Sequence, residues 1–127
     1  NVVVTGFVKD LRDYYNKASV FVAPMTFVVG IQNKVLEAMA MEVPVVSTTL
    51  ANEGIDARPG EEIFVEDEPS AFADRVVELL KNKDLRKKIS TNAKEFVERN
   101  FPWEKVVDRM DEVHLKISKT QNGISCQ

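Results

Sequence analysis

Two short apolar runs, at residues 20–23 and 44–46, mark the most informative part of the sequence. Both runs lack polar alternation and are rich in residues that favour strands, which is typical of parallel strands covered on both faces. The residues between them, 31–41, contain no helix breaker and predict a helix that opens at Gly30. The pattern therefore predicts a strand, a loop, a helix and a second strand, as in the crossover of an α/β domain.

The predicted helix is apolar apart from one narrow polar wedge. At about 100° per residue, Asn33, Lys34 and Glu37 fall within an arc of roughly 100°, and Gly30 lies inside the same arc. The first turn of a helix presents unpaired N–H groups and the positive end of the helix dipole, which suit a phosphate. A glycine lets the backbone approach such a group closely, and open α/β sheets bind ligands at the carboxyl ends of their strands. The loop that leads into this helix is therefore a candidate phosphate site.

A purely structural interpretation of the same residues stays open at this point. In that interpretation the glycine only makes a turn, and Lys34 and Glu37 form a solvent-exposed pair three residues apart. The pattern of residues does not separate the two interpretations.

The remainder of the chain continues the alternation of strands and helices. Residues 2–5 predict a first strand and residues 62–65 a last short one, while residues 48–59 predict a polar loop with turn formers. Helical periodicity predicts four more helices, which cover residues 10–17, a segment that begins at 67–69, residues 83–99 and residues 102–117. We expect residues 1–117 to form one domain and the polar residues 118–127 to be a disordered tail.

Composition narrows the classes of function. The chain has 127 residues, of which 44% are hydrophobic, so it can bury the core of one domain. A net charge of −3 gives no broad basic surface, and we therefore expect no nucleic-acid partner. The chain has one cysteine, one histidine and no apolar run of about 18 residues. We therefore expect a cytoplasmic protein without a membrane span, an internal disulfide or a bound metal.

Several strings between residues 22 and 62 resemble a known family. They are VAP at 22–24, GIQNKVLEAMAM at 30–41, PVV at 44–46, EGI at 53–55 and DARPGEE at 56–62. This series resembles the donor-site segment of nucleotide-sugar glycosyltransferases of the GT-B fold, in the large retaining family that contains sucrose synthases and bacterial mannosyltransferases. It is most similar to the bacterial exopolysaccharide-type sugar transferases, and the likeness extends over residues 4–103. The resemblance implies a Rossmann-like parallel sheet flanked by helices, as the C-terminal domain of a GT-B enzyme truncated at its N-terminus.

The resemblance also implies roles for particular residues. Glu37 matches the second of two family glutamates eight positions apart and is expected to hold the ribose hydroxyls of the donor nucleotide. The first glutamate falls at Val29, so no catalytic residue is assigned. Glu42 stands where relatives have glycine, and a left-handed conformation there would cost about 1 kcal/mol. The other expected donor-binding residues are Gly6, Gly30, Ile31, Gln32, Asn33, Lys34 and Glu53.

The implied activity is that of a hexosyltransferase. It would transfer a sugar from a nucleoside diphosphate sugar to a glycan or lipid-linked acceptor in polysaccharide biosynthesis, without a metal or other cofactor. A missing N-terminal domain would bind the acceptor and hold the protein at the periphery of the inner membrane. We expect the fragment alone to be inactive, and self-association through its truncated sheet is a further expectation.

Two alternatives to this activity stay open. A non-catalytic nucleotide-binding or partner module is favoured by Val29 and by the missing portion. A nucleotide-sugar epimerase-like enzyme would share the architecture, although it should carry more acid/base residues around the sugar than a chain with one histidine provides.

Overall fold

The computed structural model describes residues 2–27, 30 and 32–101, and the fold is given for these residues. Three strands alternate with five helices along the described chain. In order they are α1 (Arg12–Lys17), β1 (Phe21–Ala23), α2 (Asn33–Ala40), β2 (Val45–Ser47), α3 (Thr49–Asn52), β3 (Phe64–Val65), α4 (Pro69–Lys81) and α5 (Lys83–Asn100).

The three strands form one parallel sheet in the order β1-β2-β3. Phe21 is paired with Val45 at one end of β1, and Ala23 is paired with Ser47 at the other. On the far side of β2, Val46 is paired with Phe64. Helix α2 makes the crossover between β1 and β2. The predicted α/β class, with a parallel sheet flanked by helices, is therefore confirmed.

Apolar side chains cover both faces of the central strand, all three residues of which are buried. Val45 belongs to a cluster with Val35 and Met39 of α2, whereas Val46 packs with Leu79 of α4. Because successive side chains of a strand point to opposite faces, these clusters form two layers of core, one on each side of the sheet. Helix α5 contributes to both layers, through Ile89 to one and through Ala93, Phe96 and Val97 to the other.

Helix α2 ends in the left-handed turn that the resemblance suggested. Glu42 has a φ of 57°, and the N–H of Val43 donates to the carbonyl oxygen of Ala38 at 2.9 Å. The Glu42 carboxylate accepts a hydrogen bond from Lys94 Nζ at 2.9 Å, and this contact raises the pKa of Lys94. Both side chains are exposed, so their ion pair offsets little of the backbone strain.

The prediction of a first strand is wrong. Residues 2–5 form no strand, and the side chains of Val2, Val3 and Val4 are 93%, 84% and 89% exposed. A strand needs a neighbour with which to form hydrogen bonds, and the described strands pair with one another instead.

One additional helix and several boundaries also differ from the prediction. The polar loop at residues 48–59 contains the short helix α3, which begins where the Thr48 hydroxyl oxygen accepts a hydrogen bond from the N–H of Ala51. Helix α1 begins at Arg12 rather than at residue 10, β3 is limited to Phe64–Val65, and α2 begins at Asn33 rather than at Gly30. The predicted helix at 102–117 and the predicted tail at 118–127 lie outside the described residues.

Candidate functional site

Each strand of a parallel sheet ends at the same edge, and in this protein the loops at that edge are joined by hydrogen bonds. The backbone N–H of Thr48 donates to the carbonyl oxygen of Ala23 at 3.2 Å, and the Thr48 hydroxyl donates to the carbonyl oxygen of Met25 at 2.7 Å. These bonds attach the start of the loop that follows β1 to the end of β2. The start of the loop that leads from β1 to α2 is therefore held in place by Thr48.

The loop after β3 is attached to the same edge by a carboxylate. Asp67 accepts a hydrogen bond from the backbone N–H of Thr49 at 2.8 Å and another from its hydroxyl at 2.7 Å. These two bonds, with the hydroxyl contributing most, lower the pKa of Asp67. Since both carboxylate oxygens are occupied by Thr49, Asp67 has a structural role at this edge.

One buried hydroxyl at this edge has no partner among the described residues. Ser47, the last residue of β2, is completely buried, and its Oγ forms no hydrogen bond within that part of the chain. Its position two residues after Val45 places its side chain on the sheet face that α2 covers. Buried hydroxyl groups without partners are uncommon in folded proteins, which makes Ser47 an unusual residue at this edge. The sequence did not single it out, because its burial depends on the fold.

Helix α2 begins at this edge, with Gly30 shortly before it. Gly30 has a φ of 77°, which lies outside the right-handed helical region, so the helix starts three residues later than predicted. Apart from Gly30 itself and its two chain neighbours, no described residue has an atom within 4 Å of the position that a Cβ at Gly30 would occupy, so the backbone conformation rather than crowding favours glycine. The N-cap residue Gln32 makes no side-chain cap hydrogen bond. The first turn of α2 therefore lacks the usual protein side chain that would occupy its N–H groups.

The polar residues of α2 are not paired with one another. Asn33 and Lys34 are exposed, and Lys34 forms no ion pair within the described part of the chain. Glu37 is half-buried, and it accepts a hydrogen bond from Tyr15 rather than a contact from Lys34. The Lys34–Glu37 pair of the purely structural interpretation is therefore not formed among the described residues.

Tyr15 of α1 makes the contact that defines the position of Glu37. Its hydroxyl oxygen lies 3.0 Å from Glu37 Oε2 and 3.3 Å from the carbonyl oxygen of Lys34. Burial, followed by the nearby Glu37 charge, raises the pKa of Tyr15, which remains a hydrogen-bond donor at neutral pH. Tyr15 was not among the residues predicted from the sequence, because its partner is 22 residues away in the chain.

The remaining predicted donor-binding residues are not joined to this group by described contacts. Gly6 has a φ of 66° and is exposed, and apart from its two chain neighbours no described residue lies within 4 Å of the place where a Cβ would stand. Glu53 is the exposed C-cap residue of α3, and its side chain forms no hydrogen bond or ion pair among the described residues. Ile31 and Val29 lie outside the described residues.

The described residues contain neither a metal-binding cluster nor a membrane-spanning helix. Among residues 2–27, 30 and 32–101, no group of three or more metal-ligating side chains comes together. In the same part of the chain no helix is long and apolar enough to span a bilayer.

The arrangement suits an anion that also carries hydroxyl groups. An uncapped helix N-terminus and the exposed Lys34 ammonium group attract negative charge. One turn further along the helix, the carboxylate of Glu37 offers acceptors for hydroxyl donors. The parallel sheet, its crossover and this helix terminus define a Rossmann-like α/β domain.

Comparison with known proteins gives the family. The model of the family described as "Glycosyl transferases group 1" matches residues 1–82, which is more than half of the chain. The chain belongs to the group 1 glycosyl transferases, and its GT-B-type domain is the one that the sequence motifs resembled.

Relatives and a solved structure agree with this family. The chain is 30% identical over 125 residues to the capsular polysaccharide biosynthesis glycosyltransferase CapM of Staphylococcus aureus, and the match covers 97% of the chain and 33% of CapM. It is 29% identical to an uncharacterized 44.6 kDa protein in the cps region of Klebsiella pneumoniae, with 84% of the chain and 27% of that protein covered. Sucrose-phosphate synthase from Thermosynechococcus elongatus has the same fold, with a TM-score of 0.65, 23% identity, and 87% of this chain and 28% of that chain covered. The chain thus spans about a third or less of each of these proteins.

Proposed function

We propose that this chain is the donor-binding part of an enzyme that transfers a sugar from a nucleoside diphosphate sugar to a glycan or lipid-linked acceptor in polysaccharide biosynthesis. The observation that carries the proposal is the half-buried Glu37 carboxylate, which one neutral hydroxyl holds in place within one turn of an uncapped helix N-terminus. Membership of the group 1 glycosyl transferases supports it, as does the name of CapM, which refers to capsular polysaccharide biosynthesis.

In the proposed mechanism the first turn of α2 stabilises the leaving diphosphate. Breaking the bond to the sugar builds negative charge on the diphosphate, and the positive end of a helix dipole stabilises such charge most where it develops. The backbone at Gly30, Ile31, Gln32 and Asn33 would face the phosphates, with the Lys34 ammonium group beside them.

Glu37 would bind the ribose of the same nucleotide. An ionised carboxylate has two oxygens that accept hydrogen bonds, and Oε2 is the one that the Tyr15 hydroxyl contacts. Oε1 has no hydrogen-bond donor among the described residues and would accept the ribose hydroxyls. Gly6 and Glu53 remain proposed members of the donor site on the strength of the motif resemblance.

The acceptor, the identity of the sugar and the location belong to the same proposal. We propose that the sugar is a hexose, that other parts of the intact protein bind the acceptor at the inner face of a membrane, and that residues 1–127 alone catalyse no transfer. The small fraction of each relative that this chain covers supports the last point.

A non-catalytic nucleotide-binding module is the second candidate. The observation that favours it is Val29, which occupies the position of a family glutamate that contacts the donor sugar. Such a module would bind a nucleotide through the same α2 site and would transfer nothing.

Calorimetric titration of the intact protein with UDP, GDP and ADP tests the proposal. We expect one of the three to bind, and we expect Glu37→Ala to weaken that binding about tenfold or more. Glu98→Ala is the matched control, because Glu98 is an exposed residue of α5 that forms no side-chain hydrogen bond or ion pair among the described residues. Binding without transfer from any nucleotide sugar would favour the second candidate, and binding of none of the three nucleotides would contradict the proposed donor site.

A further inference from the structure

A contact between α1 and α2 connects the proposed ribose-binding carboxylate to the body of the domain. The hydroxyl oxygen of Tyr15 lies 3.0 Å from Glu37 Oε2, and it also lies 3.3 Å from the carbonyl oxygen of Lys34. One side chain therefore contacts both the carboxylate and the backbone of the first turn of the same helix.

The position of this hydroxyl is fixed by packing. The Tyr15 side chain is 7% exposed and belongs to the apolar cluster that includes Val35 and Met39. Its ring meets the ring of Phe21 in a tilted arrangement, with centroids 6.0 Å apart. A tyrosine has few rotatable bonds, so a packed ring leaves its hydroxyl little freedom. Tyr14, the adjacent residue, is 51% exposed and lacks such packing.

Holding one carboxylate oxygen determines what the other can do. A glutamate side chain is flexible, and a ligand that binds it must order it. With Oε2 held by Tyr15, that ordering has occurred before the ligand arrives, and Oε1 is already oriented. The ring of Tyr15 is enough for the packing of α1. Its hydroxyl instead contacts the carboxylate on the proposed ligand-binding face of α2.

We propose that Tyr15 is a positioning residue of the donor site, whose hydroxyl orients the Glu37 carboxylate to receive the ribose hydroxyls of a nucleoside diphosphate. This inference rests on the proposed function, since it assumes that Glu37 binds ribose. In this proposal Tyr15 itself touches no part of the substrate. Its effect on binding is therefore confined to ligands that carry the ribose hydroxyls.

The test compares two ligands in the intact protein. Tyr15→Phe removes the hydroxyl and keeps the ring. For the nucleoside diphosphate that binds the wild-type protein, we expect this substitution to weaken affinity about three- to tenfold, as the loss of one hydrogen bond does. For the 2′,3′-dideoxy form of the same nucleotide we expect less than about a twofold change, because the hydroxyls that Glu37 receives are absent. Tyr14→Phe is the matched control and should leave both affinities unchanged.

A second variant tests the pathway through Glu37. Glu37→Ala removes the partner of the Tyr15 hydroxyl and should weaken binding of the ribonucleotide, and adding Tyr15→Phe to it should lower the affinity by less than about a further factor of two. Glu37→Asp keeps the charge but withdraws it from Tyr15. It should also weaken binding of the ribonucleotide, and adding Tyr15→Phe to it should have little further effect. This variant keeps the inference testable if Tyr15→Phe fails to fold, and thermal unfolding of each variant checks that point.

The outcomes separate the inference from the proposed function. An equal loss of affinity for the two ligands would give Tyr15 a structural role only, and no loss for either would also overturn the inference, while nucleotide binding itself survived. If the wild-type protein bound neither ligand, or if Glu37→Ala bound both as the wild type does, the proposed role of Glu37 would fail, and the inference with it.

Discussion

Glu37 and Glu62 are both withdrawn from solvent, yet their surroundings differ. Glu62 is 2% exposed, and its carboxylate accepts hydrogen bonds from the backbone N–H of Arg58 at 2.9 Å and from the Arg58 guanidinium group at 3.0 Å. Arg99 lies 3.6 Å from the same carboxylate. Glu37 is less buried, and the hydrogen bond described for it comes from the neutral hydroxyl of Tyr15.

The difference shows which property of a buried carboxylate points to function. The protein itself satisfies the charge and both oxygens of Glu62, so that residue stabilises the turn before β3 and its contact with α5. Glu37 has a fixed orientation and one oxygen without a described donor. Acceptor capacity that the protein leaves unused, rather than burial, marks Glu37 as the ligand-binding carboxylate.

The largest effect on stability is expected at Glu62. Glu62→Ala leaves the backbone N–H of Arg58 without its partner and should lower the free energy of unfolding by about 2–3 kcal/mol. Urea denaturation measures this loss. Glu61→Ala is the control, because Glu61 is exposed in its pair with Arg58 and should cost less than about 1 kcal/mol. Equal losses for the two variants would contradict the structural role of Glu62.

At Glu37 we expect a substitution to affect nucleotide binding more than the free energy of unfolding. Glu37→Gln keeps the shape of the side chain, and its amide oxygen can still accept from Tyr15, so we expect the free energy of unfolding to change by less than about 1 kcal/mol. The same substitution should weaken nucleotide binding about tenfold, which corresponds to about 1.4 kcal/mol. Paired urea denaturation and calorimetry on this variant and on Glu62→Ala test the comparison. A large loss of stability with unchanged binding would make Glu37 another structural glutamate.

A third glutamate, Glu42, serves neither purpose. Its φ of 57° favours glycine, and its exposed ion pair with Lys94 contributes little to the free energy of unfolding. We expect Glu42→Gly to raise the free energy of unfolding by about 0.5–1 kcal/mol, without an effect on nucleotide affinity. Thermal or urea unfolding measures the gain. Glu42→Ala is the control that removes the ion pair and keeps the strain, and it should not stabilise the protein.

The smallest effect concerns the exposed carboxylate Asp67. The hydrogen bonds from Thr49 lower its pKa in the folded protein below the usual 3.8. The unfolded chain therefore binds more protons between the two pKa values, so Asp67 contributes stability above about pH 4 that is lost as the pH falls through its folded pKa. Urea unfolding between about pH 5 and pH 2 should show a smaller acid-dependent loss for Asp67→Asn than for the wild type. The control is Asp74→Asn, an exposed change in α4, and equal losses in both variants would contradict this role for Asp67.

The parts of the fold that local pattern specifies were predictable. Residues of β2 carry no polar alternation and are buried on both faces, as expected, and the left-handed conformation at Glu42 followed from the motif. The polar wedge also placed Lys34 and Glu37 on the part of α2 that now carries the candidate site. Each of these features depends on residues close together in the chain.

The features that depend on distant neighbours were not predictable. Residues 2–5 have strand-forming side chains but no strand beside them, and Tyr15 acquires its role from a residue of α2 that lies 22 positions further along. Nothing in the sequence distinguishes Glu62 from the exposed Glu61, because a buried carboxylate requires guanidinium groups that only the fold brings together. A local signal that was overlooked is Thr48, a residue type that commonly caps a helix and here caps α3, the helix that was not predicted.

A structure of the intact protein with its nucleoside diphosphate bound would test the central claim most directly. We predict a ribose hydroxyl within about 3.2 Å of Glu37 Oε1, Tyr15 still in contact with Oε2, and the diphosphate against the first turn of α2. A nucleotide bound elsewhere on the domain, or one whose ribose faces away from Glu37, would contradict it.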